Sequence, residues 1–162
     1  MTPLTQFSGL IVSLLICFIV AVLGALASTN ASDFYGELVK PAWAPPGWLF
    51  GPVWTMLYIM MGVAAWLVWR PSGFNGAQLA LSLFLAQLIF NALWSWLFFN
   101  MQLGMWAFVD ITLLWVCLAA MVILFWQVST VAGMLILPYI LWVSFATLLN
   151  FHVWKLNPEL LA

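Results

Sequence analysis

The sequence predicts an all-α membrane protein, a bundle of five transmembrane helices in a single domain spanning residues 1–162. Three observations predict it. Of 162 residues 67% are hydrophobic, and only three basic and four acidic side chains are present, whereas a soluble domain carries charge on about a quarter of its residues. Mean hydropathy is +1.18, and five apolar runs are long enough to cross a bilayer, which takes roughly 20 residues. Lipid offers no partner to backbone N–H and C=O groups, so each run is expected to be helical.

The first span covers about 7–28. It lacks a basic leading region and a cleavage site, and so reads as a retained helix rather than a signal peptide. A longer connection, 29–46, follows, with Asp33, Glu37 and Lys40. The second span, 47–69, opens inside "KPAWAPPGWLFGPVW" (40–54). Pro41, Pro45, Pro46 and Pro52 restrict the path of the chain into the helix, and a loop held this way loses less entropy on closing over a ligand. The stretch reads as a lid that presents Trp43 and Trp48 at a mouth, with Trp54 as a wall inside the helix.

The third span, 77–99, contains "AQLIFNALWSWLFF", where Gln87, Asn91, Trp94 and Phe98 fall on one helical stripe. In the fourth, 105–127, Asp110 is the one carboxylate inside a span, and a structural hydrogen bond near the helix N-terminus is expected for it. The fifth, 131–154, contains "LPYILWVSFATLLN", with Trp142, Ala146 and Asn150 on a second stripe and Pro138 one turn before Trp142. That proline removes a backbone hydrogen bond and kinks helices. The connections 70–76, 100–104 and 128–130 are short, which makes sequential helices antiparallel neighbours. No internal repeat is visible.

Polar side chains at membrane depth are costly and usually face the bundle interior or a cavity. Amides there often only bond neighbouring helices, at ~1 kcal/mol each. Two amide-and-indole stripes beside a loop rich in proline and tryptophan favour a binding pocket instead. Trp66, Trp69, Trp106, Trp126 and Trp154 lie near span ends and fit an aromatic belt. Trp54, Trp94, Trp115 and Trp142 lie deeper. Cys17 and Cys117 stand singly in apolar runs, which predicts buried thiols rather than a disulfide or metal framework. His152 is the only histidine. A lone histidine at a helix end is more often an interfacial anchor, and this one is also a candidate haem ligand because neutral imidazole binds metals. No other metal site, no catalytic residue and no nucleic-acid partner is expected. Lys40 and Lys155 against Arg70 favour the first loop and C-terminus on the cytoplasmic side.

The segment "KPAWAPPGWLFGPVWTMLY" resembles the first loop and second helix of the translocator protein family, which includes the bacterial tryptophan-rich sensory proteins and the mitochondrial peripheral benzodiazepine receptor. The resemblance continues through "AQLIFNALWSWLFF", "GMWAFVD" and "PYILWVSFATLLNFHVWKLN" and covers nearly the whole chain. It implies a five-helix bundle in a bacterial membrane, usually a homodimer, with a pocket closed by the first loop. It also implies hydrophobic ligands: porphyrins, sterols and benzodiazepine-type compounds. By matched position the family's pocket tryptophans fall on Trp54 and Trp142, its pocket asparagine on Asn91, a loop aromatic on Tyr35, and a ligand-sensitive alanine on Ala146. Phe151 stands where the family's sterol pattern has tyrosine, which weakens the case for sterol.

The expected ligand site is therefore Tyr35, Trp43, Trp54, Gln87, Asn91, Trp94, Trp142, Ala146 and Asn150. The expected function is a membrane receptor or sensor for tetrapyrroles such as protoporphyrin or haem, with no obligatory cofactor. A porphyrin or sterol transporter is the alternative, although paired intramembrane acids and inverted broken helices are missing from the sequence. A third reading is photo-oxidative porphyrin degradation at Trp54 and Trp142, without a nucleophile–base constellation to support it. Small residues Ser82 and Ala86, or Ala21 and Ala25, are expected at a dimer contact, where close backbone approach is possible.

Overall fold

The computed structural model describes residues 2–161. Helix α1 runs Pro3–Ala27 and is capped by Thr2, whose hydroxyl accepts from Thr5 N. A short helix α2, Ala31–Glu37, follows. A single 3-10 turn, Gly47–Leu49, leads into α3, Phe50–Trp69. One helical turn, α4 (Gly73–Gly76), precedes α5, Gln78–Ser95, which ends in a π-helical turn, Trp96–Asn100. Helices α6, Gly104–Val128, and α7, Thr130–Leu156, complete the bundle. No strand occurs among the described residues.

Five of these elements are long and apolar enough to cross a membrane: Leu4–Ala27, Gly47–Trp69, Gln78–Asn100, Gly104–Val128 and Thr130–Leu156. The expected spans agree within a few residues. The 29–46 connection contains the short helix α2. Asp33 in the first turn of α2 suits the helix dipole. The Lys40 ammonium donates to the carbonyls of Tyr35 and of Leu38 (2.9 Å), taking up acceptors that the end of a short helix leaves open. Burial of Phe34 and Tyr35 supplies the tertiary support that seven residues lack on their own.

The loop is also fastened to the far end of α7. The Asn157 carboxamide accepts from Val39 N at 2.8 Å and donates to Val39 O at 2.8 Å and Val153 O at 2.7 Å. The Tyr35 hydroxyl donates to Pro45 O at 3.0 Å, and burial pushes its phenol above the ordinary tyrosine range, so it stays a donor.

The main core lies where α3, α5, α6 and α7 meet, around Leu57, Met61, Leu114, Leu118, Tyr139 and Val143. A second cluster, including Phe34, Leu38, Phe98, Leu149 and Val153, seals the loop end. Helix α1 is peripheral: 17% of its apolar window is buried, against 39% for the windows in α3 and α6. It reaches α3 through Gly62, where a Cβ would stand 2.7 Å from Leu14 Cδ2 and 3.2 Å from Leu14 Cα. Helix α7 runs uninterrupted through Pro138. Odd span number places Lys40 and Lys155 at one end of the bundle and Arg70 at the other.

Candidate ligand pocket

Four helices converge on a recess at the loop end of the core. Its walls are Phe50 and Trp54 from α3, Asn91 and Trp94 from α5, Ile111 and Leu114 from α6, and Trp142, Val143 and Ala146 from α7. The α5 and α7 stripes face each other across it. Trp94 Nε1 donates to Asn150 Oδ1 at 2.8 Å, and Asn150 Nδ2 donates to Gly104 O at 3.3 Å, which ties α5, α6 and α7 together below the recess. Gly104 permits this approach, since a Cβ there would stand 2.6 Å from the Trp154 ring.

Polar atoms on the far side are also paired. The Tyr58 hydroxyl donates to Asn91 Oδ1, Asn91 Nδ2 donates to the Tyr139 hydroxyl at 2.7 Å, and Tyr139 donates to Gln87 Oε1 at 2.8 Å. Gln87 Nε2 lies 3.6 Å from Met61 S. This chain joins α3, α5 and α7 through groups that lipid would leave unsatisfied. The two tyrosines escaped the sequence reading, because a tyrosine in an apolar run looks like any other core aromatic.

One polar atom on the wall has no partner. Trp142 Nε1 is buried and makes no hydrogen bond. Its ring sits edge-on to Phe50 at 5.8 Å and tilts against Phe145 at 5.5 Å. Phe50 in turn meets Tyr35 at 5.5 Å, and Trp54 packs between Tyr58 and Tyr139 at 5.9 and 6.0 Å. The space left between these rings is about 10 Å³. That holds one water at most, far below the ~300–1,000 Å³ of a cavity for a drug-sized ligand. The recess is shut in this conformation.

Of the expected site residues, Trp54, Asn91, Trp94, Trp142 and Ala146 line the recess. Tyr35 stands behind Phe50, Gln87 lies one turn behind Asn91, and Asn150 is reached through Trp94. Trp43 lies across the rim, 5.7 Å from Phe145 and 5.4 Å from His152. Trp48, expected as a surface at the mouth, is 73% exposed and is not among the lining residues. His152 is exposed, with Nδ1 on Leu148 O at 2.8 Å, and is not among the lining residues. No group of three metal-ligating side chains occurs among the described residues. Trp115 lies on the outer face, 39% exposed, donating to Ser144 Oγ at 2.7 Å. Phe50, Ile111, Leu114 and Val143 were missed; Phe50 stands one turn before Trp54, the one signal that could have found it.

Asp110 corrects the sequence reading. Its carboxylate is 3% exposed and neither oxygen has a hydrogen-bond partner. Free backbone N–H groups occur only in the first turn of a helix, and Asp110 is the seventh residue of α6, beyond their reach.

Five apolar helices, four of them around an aromatic recess, with a fastened loop at one end, define a multi-pass integral membrane protein. Residues 13–155 match the model of the TspO/MBR family. The chain is 46% identical over 132 residues to the tryptophan-rich protein TspO of Chlorobaculum tepidum, covering 79% of this chain and 82% of that one. It is 40% identical over 141 residues to the tryptophan-rich sensory protein of Cereibacter sphaeroides, covering 85% and 87%. Similarity reaches the human translocator protein, at 40% over 126 residues, covering 76% and 75%. The chain belongs to the TspO/MBR family of membrane sensor and translocator proteins.

Proposed function

We propose that the protein is a membrane receptor that takes up a tetrapyrrole, protoporphyrin or haem, between Trp54 and Trp142 when the loop and α7 part. The observation that carries this reading is the unpartnered Trp142 Nε1, buried on a wall otherwise made of rings and aliphatic groups. Native structures rarely leave such a donor without cause. A planar ligand with acceptor atoms at its edge would satisfy it while stacking on the indoles, each aromatic pair adding ~1 kcal/mol beyond burial. Trp94, already bonded to Asn150, holds its ring fixed as a further wall. One propionate would accept from Trp142 Nε1, and the other would meet the loop end, where Lys155 remains over the Trp154 ring at 4.1 Å. Lys40 is occupied with the end of α2. Names among the relatives, "sensory protein" and "translocator protein", agree with a ligand-responsive membrane protein.

The test is a titration of purified protein with protoporphyrin, read by tryptophan quenching. Saturable quenching is expected, and Trp142→Phe, which keeps a ring but loses the N–H, should weaken binding about five- to tenfold, the equivalent of one net hydrogen bond. Unchanged emission at saturating porphyrin in folded protein would defeat the reading. The receptor also works as a homodimer in this proposal, through the small residues Ser82 and Ala86 on α5 or Ala21 and Ala25 on α1. Ala86→Phe should then shift dimer toward monomer.

A further inference from the structure

A second recess lies outside the aromatic pocket, at the opposite end of the bundle. It is a groove of about 330 Å³ between α1, α3 and α5. Gly9, Ser13 and Ile16 form one side, Ala65, Trp66 and Trp69 the floor. At one end α1 and α3 pack closely, since Gly9 lets the Trp69 ring lie where a Cβ would stand 2.3 Å away. Val12 and Leu85, 54% and 42% exposed, form its rims, so the groove opens sideways toward the surrounding lipid.

Three of its lining side chains are already committed. Ser8 Oγ donates to Thr5 O at 2.9 Å, Ser13 Oγ to Leu10 O at 3.0 Å, and Trp66 Nε1 to Gln6 O at 2.9 Å. A sterol hydroxyl would find no open donor among them. A cation stands beside the groove, outside its lining residues. The Arg70 guanidinium lies over the Trp66 ring, 5.1 Å from its centroid. Among the described residues it has no ion pair or side-chain hydrogen bond, and it is the only charged side chain at that end of the bundle. From Thr5 to Ile16 the groove follows α1 for ~17 Å at 1.5 Å per residue. One leaflet's share of a ~30 Å hydrocarbon core is about that length.

We infer that this groove binds one anionic phospholipid, with an acyl chain along Gly9, Ser13 and Ala65 and the phosphate on Arg70. Length and lining fit a single chain, and an unpaired guanidinium at headgroup level fits a phosphate, which it can bond bidentately. The site is independent of the tetrapyrrole reading, because it shares no lining residue with the aromatic pocket.

The test is native mass spectrometry of full-length protein released from bilayers of phosphatidylcholine with phosphatidylglycerol. Enrichment of one phosphatidylglycerol per chain over phosphatidylcholine is expected. Arg70→Gln should lower that enrichment about fivefold, and Arg70→Lys should keep most of it. Val12→Trp, a change on an exposed rim that leaves the core intact, should lower retention of both lipids. Unchanged enrichment in Arg70→Gln overturns the inference. So does displacement of phosphatidylglycerol by cholesterol in the wild type. So too does Val12→Trp dissociating a dimer while lipid retention stays the same, which would make the occupant a second copy of the chain.

Discussion

The aromatic pocket between α3, α5, α6 and α7 and the groove between α1, α3 and α5 belong to one bundle, yet about 10 Å³ remains open in the first and about 330 Å³ in the second. Large rings and cross-helix hydrogen bonds close the pocket. At the groove the serine hydroxyls bond their own helix, and the one bond between helices is Trp66 Nε1 to Gln6 O. Hydrogen bonds between helices resist separation, whereas those within a helix leave its neighbours free. A ligand entering the pocket would have to replace what it disrupts, whereas one in the groove would only have to fill it.

Breaking the polar chain that closes the pocket should have the largest effect. Asn91→Ala leaves the Tyr58 hydroxyl without its acceptor and the Tyr139 hydroxyl without its donor, and opens space beside them. A loss of about 2–4 kcal/mol is expected in detergent unfolding, from ~1–3 kcal/mol per orphaned buried group. The double variant Tyr58→Phe/Asn91→Leu should recover part of it, since apolar replacement of both partners is tolerated. Equal losses in the two would mean that the chain does not hold the pocket shut.

Gly62→Val acts on the other region. Its added carbons meet the Leu14 backbone, so α1 must shift from α3 at a cost of ~1–3 kcal/mol. Phospholipid retention should fall and porphyrin affinity should hold. Joint loss of both would show that the two recesses are coupled.

Ala146→Thr sharpens the pocket side. Ala146 lines the recess beside Val143, and a branched side chain there should weaken porphyrin binding roughly tenfold, at ~1–3 kcal/mol for overpacking. The hydroxyl can bond a carbonyl one turn back, so circular dichroism should show unchanged helix content. Equal affinity would mean that Ala146 does not face the ligand.

The smallest effect, and the only stabilising one, is expected at Asp110. A buried carboxyl without a partner costs stability that an apolar side chain of similar size does not. Asp110→Leu should raise the thermal midpoint by a few degrees, ~1 kcal/mol. A lower midpoint would reveal a partner that the described residues do not include.

The spans were legible because a bilayer demands length and apolarity, both visible in a string of residues. The two stripes were legible because helical spacing alone puts Trp94 with Asn91 and Ala146 with Trp142. Three features were not. Helix α2 has seven residues and no periodic run, and its support comes from Lys40 at its end and from Phe34 and Tyr35 packing on distant elements. The Tyr58–Asn91–Tyr139–Gln87 chain depends on which helices meet, which spacing within one helix does not reveal. Asn157 resembles any polar residue after a helix until Val39 is brought against it from 118 positions away.

In the proposed function a planar ligand occupies the pocket by separating Trp54 from Trp142. A structure of the protein with protoporphyrin bound tests it most directly. The expected result is a cavity grown from about 10 Å³ to at least ~300 Å³, the macrocycle between the two indoles, and Trp142 Nε1 bonded to the ligand. Porphyrin found elsewhere, with Trp54 and Trp142 still packed as they are here, would contradict it.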